Sequence, residues 1–166
     1  YMKKSEQETY QNISEAISFI SEKLKENNIN ITLMPETMGK ISQFGSLQEV
    51  IKLSKEIDNV LPCIDISHLF ARNLGKKNDL SYFRELLQQI KDNLGEKALK
   101  NMHFHCSGIE YGKRGERYHL SFKESKFNYK DFLKALKEFN VEGLLIVESP
   151  LQEKDALLLK KEFQVL

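Results

Sequence analysis

Gly143-Leu144-Leu145-Ile146-Val147-Glu148 decides the fold. Four apolar residues follow one another without a polar break, so an extended segment there is apolar on both faces. Such a strand needs cover on both sides, which a parallel sheet clad in helices provides. Three other runs share this character. They are Ile29-Asn30-Ile31-Thr32-Leu33-Met34-Pro35-Glu36, Val60-Leu61-Pro62-Cys63-Ile64-Asp65, and residues 99–106. Pro62 is the weak point of its run, because it has no N–H for a ladder.

Working outward, apolar residues between these runs recur at helical spacing. Tyr10, Ile13, Ala16, Ile17, Ile20 and Leu24 form one stripe and predict a helix over 5–26. Ser46-Leu47-Gln48-Glu49 is a capping box that opens a helix turning Val50, Leu53 and Ile57 inward. Asp79 caps a helix with Phe83, Leu86, Leu87 and Ile90 on one face, and Gly95 closes it. Further helices are expected over 131–139 and 153–163. The order α-β-α-β-α-β-α-β-α predicts an α/β fold of parallel βα units with right-handed crossovers. Residues 1–166 read as a single domain, because every link is short except a Gly-rich loop over 107–128, and loops that long are usually functional.

Composition narrows the class. With 40% hydrophobic and 30% charged residues, and only 8 Gly and 3 Pro, the chain is not disordered, collagen-like or low-complexity. Its 25 basic and 24 acidic residues leave a net charge of +1, which disfavours nucleic-acid binding by bulk charge but not by a local basic loop. Two cysteines build no disulfide framework. No apolar run approaches the ~20 residues that span a bilayer, and no secretory signal is visible, so the expected location is cytoplasmic.

Ligands of parallel α/β folds bind at the carboxyl ends of the strands. Those ends carry Glu36, then Asp65 and His68, then His103 and His105, then Glu148. Of the four histidines, three lie there and the fourth, His119, follows the third strand in the long loop. Carboxylates and imidazoles converging on one rim are what divalent transition metals require: zinc takes His nitrogen and Asp/Glu oxygen at about 2.0–2.2 Å. Ions a few Å apart clamp both oxygens of a phosphate ester in cleavage. Each residue has a structural alternative. A terminal Glu can cap the next helix, and Asp65 with His68 can be a local hydrogen-bonded pair. His105 reads as the packed core member of the period-two pair with His103, and His119 as a surface residue. Cys63 and Cys106 read as small core residues. The loop over 107–119 adds Lys113, Arg114 and Arg117 for phosphates and two tyrosines for stacking, or is simply a charged loop.

At these residues the sequence resembles endonuclease IV, the metal-dependent apurinic/apyrimidinic endonucleases built on a xylose-isomerase-like TIM barrel. Pro35-Glu36-Thr37-Met38-Gly39 is similar to the family's Glu-Asn-Thr-Ala-Gly, and Cys63-Ile64-Asp65-Ile66-Ser67-His68 to its Cys-Ile-Asp-Thr-Cys-His. Met102-His103 resembles its Met-His, and Leu145-Ile146-Val147-Glu148 its final strand. Glu116-Arg117-Tyr118-His119 stands where the family has Asp-Arg-His, with Glu for Asp and the His one place later. The resemblance implies two or three Zn2+ ions, with Mn2+ or Fe as alternatives, held by Glu36, Asp65, His68, His103, Glu116, His119 and Glu148. It implies catalytic roles for Glu148 and Glu36; DNA contacts by Lys113, Arg114 and Arg117 rest on the composition of the loop alone. The implied activity is a DNA-repair hydrolase that cuts DNA at abasic sites by metal-activated hydroxide attack. A metal-dependent sugar isomerase or epimerase of the same superfold, and a non-catalytic homologue, are the competing readings.

The match follows strands five to eight of that barrel. A TIM barrel needs ~250 residues, so four strands make half of one. The expectation is therefore the second half of a TIM barrel, inactive on its own, from a longer chain. Its partner would be the missing N-terminal half or a second copy. The opening Tyr1-Met2-Lys3-Lys4, with methionine second, points the same way.

Overall fold

The computed structural model describes Tyr1 and residues 3–166; Met2 lies outside the described residues. The elements run α1 (Glu6–Glu26), α2 (Leu47–Glu56), β1 (Cys63–Asp65), α3 (Ile66–Arg72), α4 (Leu80–Leu94), α5 (Glu96–Leu99), β2 (Met102–Cys106), β3 (Gly108–Gly112), β4 (Gly115–Leu120), α6 (Tyr129–Glu138), β5 (Gly143–Val147) and α7 (Glu153–Val165). This is an α/β fold of parallel βα units.

Helix starts follow the chemistry of their caps. Ser5 with Glu8, and Ser46 with Glu49, both close reciprocal capping boxes at α1 and α2. Asp79 accepts from the Tyr82 N–H at the start of α4, and Gly95, at φ 81°, ends it.

The three regular strands of the main sheet are parallel, in the order β1-β2-β5. Residues 33–37 extend this sheet beside β1. Leu33 N–H donates to Asn59 O, Leu61 N–H to Leu33 O, Cys63 N–H to Pro35 O, and Thr37 N–H to Cys63 O. The strand expected over 29–36 is thus only partly formed. Pro35 and Pro62 supply no N–H, and Ile29 and Ile31 are exposed rather than buried.

Side chains alternate across the sheet. Ile64, Met102, Phe104 and Cys106 pack under the helices with Leu87, Ile90, Phe132 and Leu133. The other face carries one row of Cys63, His103 and Leu144 and a second of Asp65, His105 and Ile146, in register. That face is open: Leu144 is 60% and Ile146 41% exposed. Among the described residues no helix is long and apolar enough to cross a membrane.

Three expectations need correction. The 107–128 stretch is not a loop throughout, because β3 and β4 form an antiparallel hairpin turning at Lys113-Arg114. His68 is not carried by the end of the second strand but by a helix; the Asp65 carboxylate accepts from His68 N–H at 2.8 Å and starts α3 there. Residues 99–101 are not strand either, since Leu99 ends the short α5 that follows Gly95.

Candidate metal centre

Glu36 reaches the site from the edge segment, where it pairs with Cys63. The stretch after it is strapped down by Arg72, whose guanidinium donates to the carbonyls of Met38, Lys40 and Gln43 at 3.2, 2.7 and 3.0 Å. Thr37 locks this segment to β1: Asp65 N–H donates to Thr37 Oγ1 at 2.9 Å. The hairpin is drawn in by a bond from Glu116 N–H to Gly39 O at 3.1 Å. Gly39 is required for that approach, since a Cβ there would lie 2.6 Å from Glu116 Cβ and 3.1 Å from His68 Cδ2.

Among the described residues, two groups of ligand atoms that include carboxylates result. Glu36, Asp65, His105 and Glu148 each bring one atom within 4.8 Å of the others, and so do Asp65, His68 and His119. His105 Nδ1 lies 3.4 Å from Glu36 Oε1 and 3.3 Å from Glu148 Oε1. His68 Nδ1 lies 3.2 Å from Glu36 Oε1 and 3.4 Å from Asp65 Oδ2, while its Nε2 lies 3.5 Å from both Glu116 Oε2 and His119 Nε2. His119 is held by its Nδ1, 3.0 Å from the Glu148 carbonyl oxygen.

The donor set fits a divalent cation. Asp65 Oδ2 and His105 Nδ1 are buried and make no aligned hydrogen bond. Orphaned buried polar atoms are costly and rare, and both point into the four-residue group. Four carboxylates (Glu36, Asp65, Glu116 and Glu148) surround this space, an arrangement that positive charge relieves. Protons provide it without metal. Burial opposes a charged His68, but Glu36, Asp65, the Thr37 carbonyl and Glu116 outweigh it and lift its pKa to about 9. The His68 bond in turn holds the Glu36 carboxyl below its usual range, against burial. Burial pushes the Asp65 carboxyl upward.

A family profile described as a xylose isomerase-like TIM barrel matches residues 1–166. The chain belongs to the xylose isomerase-like TIM barrel family. It is 51% identical over 161 residues to the uncharacterized protein MJ0133 of Methanocaldococcus jannaschii, covering 97% of this chain and 59% of that protein. It therefore spans little more than half of that relative's length. Among solved structures, a D-tagatose 3-epimerase-like protein superposes with a TM-score of 0.61 at 21% identity, over 93% of this chain and 53% of the other. A structure described as AsfvAP:AG does so with a TM-score of 0.52 at 12% identity, over 81% and 51%. Both likenesses concern the fold.

Within this TIM-barrel family frame, the structure brings Glu36, Asp65, His68, Glu116, His119 and Glu148 together at one end of the sheet. It separates the two strand histidines differently from expectation. His105, read as core, is the imidazole facing Glu36 and Glu148. His103 lies one row deeper, with its Nε2 3.2 Å from His105 Nε2, and forms a separate group with Cys63 and His105. Cys63, read as a core residue, belongs to that group as well. Period two puts both histidines on one face, and only their depth along the strand tells them apart. Lys113 and Arg114 sit exposed at the hairpin tip, and the exposed Arg117 folds its guanidinium over Gly112.

Proposed function

We propose that the chain carries the catalytic rim of a metal-dependent phosphodiesterase that cleaves DNA at apurinic/apyrimidinic sites. The observation that carries this reading is the second ligand group. Asp65, His68 and His119, with Glu116 beside them, adjoin a four-residue group that is already sufficient for one ion. Clustered ions suit phosphodiester cleavage, where attacking and leaving oxygens both need stabilisation.

In this reading Glu36, Asp65, His105 and Glu148 hold one or two ions, and His68, Glu116 and His119 hold another. Bound divalent ions supply Lewis-acid polarisation of the phosphoryl group and lower the pKa of water. Glu148, 35% exposed at its side chain, faces the open rim and accepts the proton of the attacking water. Glu36, across His105, orients that water. Asp65, wholly buried and tied to the Thr37 hydroxyl, keeps the centre rigid. Lys113, Arg114 and Arg117 hold backbone phosphates beside the rim. The open inner face and the free β5 edge support closure by further barrel strands, from a longer chain or from a second copy.

The test is a nicking assay on a duplex with a single abasic site, run on residues 1–166 and on any longer product of the gene. Incision that chelator removes and zinc or manganese restores supports the reading. A second reading, sugar isomerisation or epimerisation at one ion, is favoured by the self-sufficiency of the four-residue group. Ketose interconversion without incision establishes that reading instead.

A further inference from the structure

Cys63 and His103 are direct partners across β1 and β2, on the face that carries the rim. Neighbouring strands lie about 4.7–4.9 Å apart, and His105 stands two residues further along. One ligand atom from each of the three lies within 4.8 Å of the others. The two imidazoles turn their Nε2 atoms toward one another at 3.2 Å. Two nitrogens bound at about 2.0–2.1 Å to one tetrahedral zinc are separated by roughly 3.3 Å, so the observed spacing needs no rearrangement. We propose that Cys63, His103 and His105 form a distinct, sulfur-containing cation site one row below the carboxylate group, taking a thiophilic divalent ion such as zinc.

His105 is the hinge of this arrangement. A neutral imidazole has one free lone pair, so it serves one ion at a time. When Nε2 binds an ion in the deeper site, Nδ1–H faces Glu36 and Glu148 at 3.4 and 3.3 Å. Neither contact is an aligned hydrogen bond in this structure; alignment of one of them on ion binding would give the carboxylate–histidine–metal arrangement that fixes the tautomer of metal-bound imidazoles. When Nδ1 serves the carboxylate group, Nε2–H donates to His103. Three protein ligands would leave a fourth tetrahedral position for water. Cys63 releases its thiol proton to solvent on binding. Without an ion, burial and the charges of Glu36, Asp65 and Glu148 raise that thiol to about 12, and a coordinating cation reverses this.

The test is a cobalt(II) titration of the metal-free chain. The expected result is a sulfur-to-cobalt charge-transfer band in the near ultraviolet, lost in Cys63→Ser and in His103→Gln but retained in Glu36→Gln. Retention in Glu36→Gln separates this site from the carboxylate group, so its failure and that of the phosphodiesterase reading are distinguishable. No such band in the wild type, or its persistence in Cys63→Ser, overturns the proposal; persistence would assign the sulfur to Cys106. Should Cys63→Ser not fold, the cadmium-113 resonance of Cys106→Ser, in which Cys63 is the one cysteine left, decides. A sulfur-shifted signal supports the site, and a signal in the nitrogen–oxygen range overturns it.

Discussion

His105 Nδ1 lies 3.3 Å from Glu148 Oε1, across the boundary between β2 and the end of β5. Ile146 pairs with His105 in the ladder, and Glu148 stands two residues further on the same face. A parallel sheet thus delivers an imidazole from one strand and a carboxylate from the next to one point. Replacing His105 with Ala removes a ligand on this account, whereas an outer partner costs ~10–100-fold in affinity. Zinc binding by calorimetry should weaken by more than that in His105→Ala. Unchanged affinity would place the ion elsewhere.

Asp65 separates stability from binding. It caps α3 with Oδ1 and aims Oδ2 into the cluster without an aligned partner. Asp65→Asn keeps an oxygen for the cap and removes a buried charge. Metal-free Asp65→Asn should melt at or above the wild-type temperature while losing zinc affinity. Asp65→Ala loses the cap and should cost about 1 kcal/mol or more. Chemical denaturation in chelator, beside zinc titration, checks both.

Gly39 sets how closely the hairpin approaches His68. The added methyl of Gly39→Ala meets Glu116 Cβ at 2.6 Å. Overpacking of this kind costs about 1–3 kcal/mol. The expected phenotype is a lowered denaturation midpoint together with weaker binding at the His68–His119 group. A variant as stable as wild type with full ion content contradicts the packing described.

The pH dependence follows from His68. Its folded pKa of about 9 lies above the ordinary 6.5. Protonated His68 therefore stabilises the metal-free fold fully below about pH 6.5, and this contribution is lost as pH rises toward 9. Ion binding at His68 must displace that proton, so affinity rises across the same window. Thermal melts in chelator and zinc titrations on either side of the window should move in opposite directions. His68→Gln should flatten both trends.

Much of the architecture is legible in the sequence because its causes are local. The Ser46–Glu49 box, the Asp79 cap and the Gly95 stop are short-range hydrogen-bond and backbone chemistry. The unbroken Leu144–Val147 run announces a parallel sheet. The hairpin is not legible, because Gly108, Gly112 and Gly115 read as loop residues. Its strands are set by contact with distant chain, Gly39 O and Lys40. The start of α3 is hidden for a related reason: Ile64 and Ile66 look like one apolar run until Asp65 turns its carboxylate back onto His68 N–H. Convergence of acids and imidazoles on one rim is readable from strand ends alone. Which of His103 and His105 meets the carboxylates depends on register against β1 and β5, which no single strand encodes.

The most direct measurement is an anomalous-difference map at the zinc edge from crystals of the chain grown with zinc. The account predicts a peak among the carboxylate oxygens of Glu36, Asp65 and Glu148 and the imidazole of His105. Ordered protein with no peak among these four residues would contradict it.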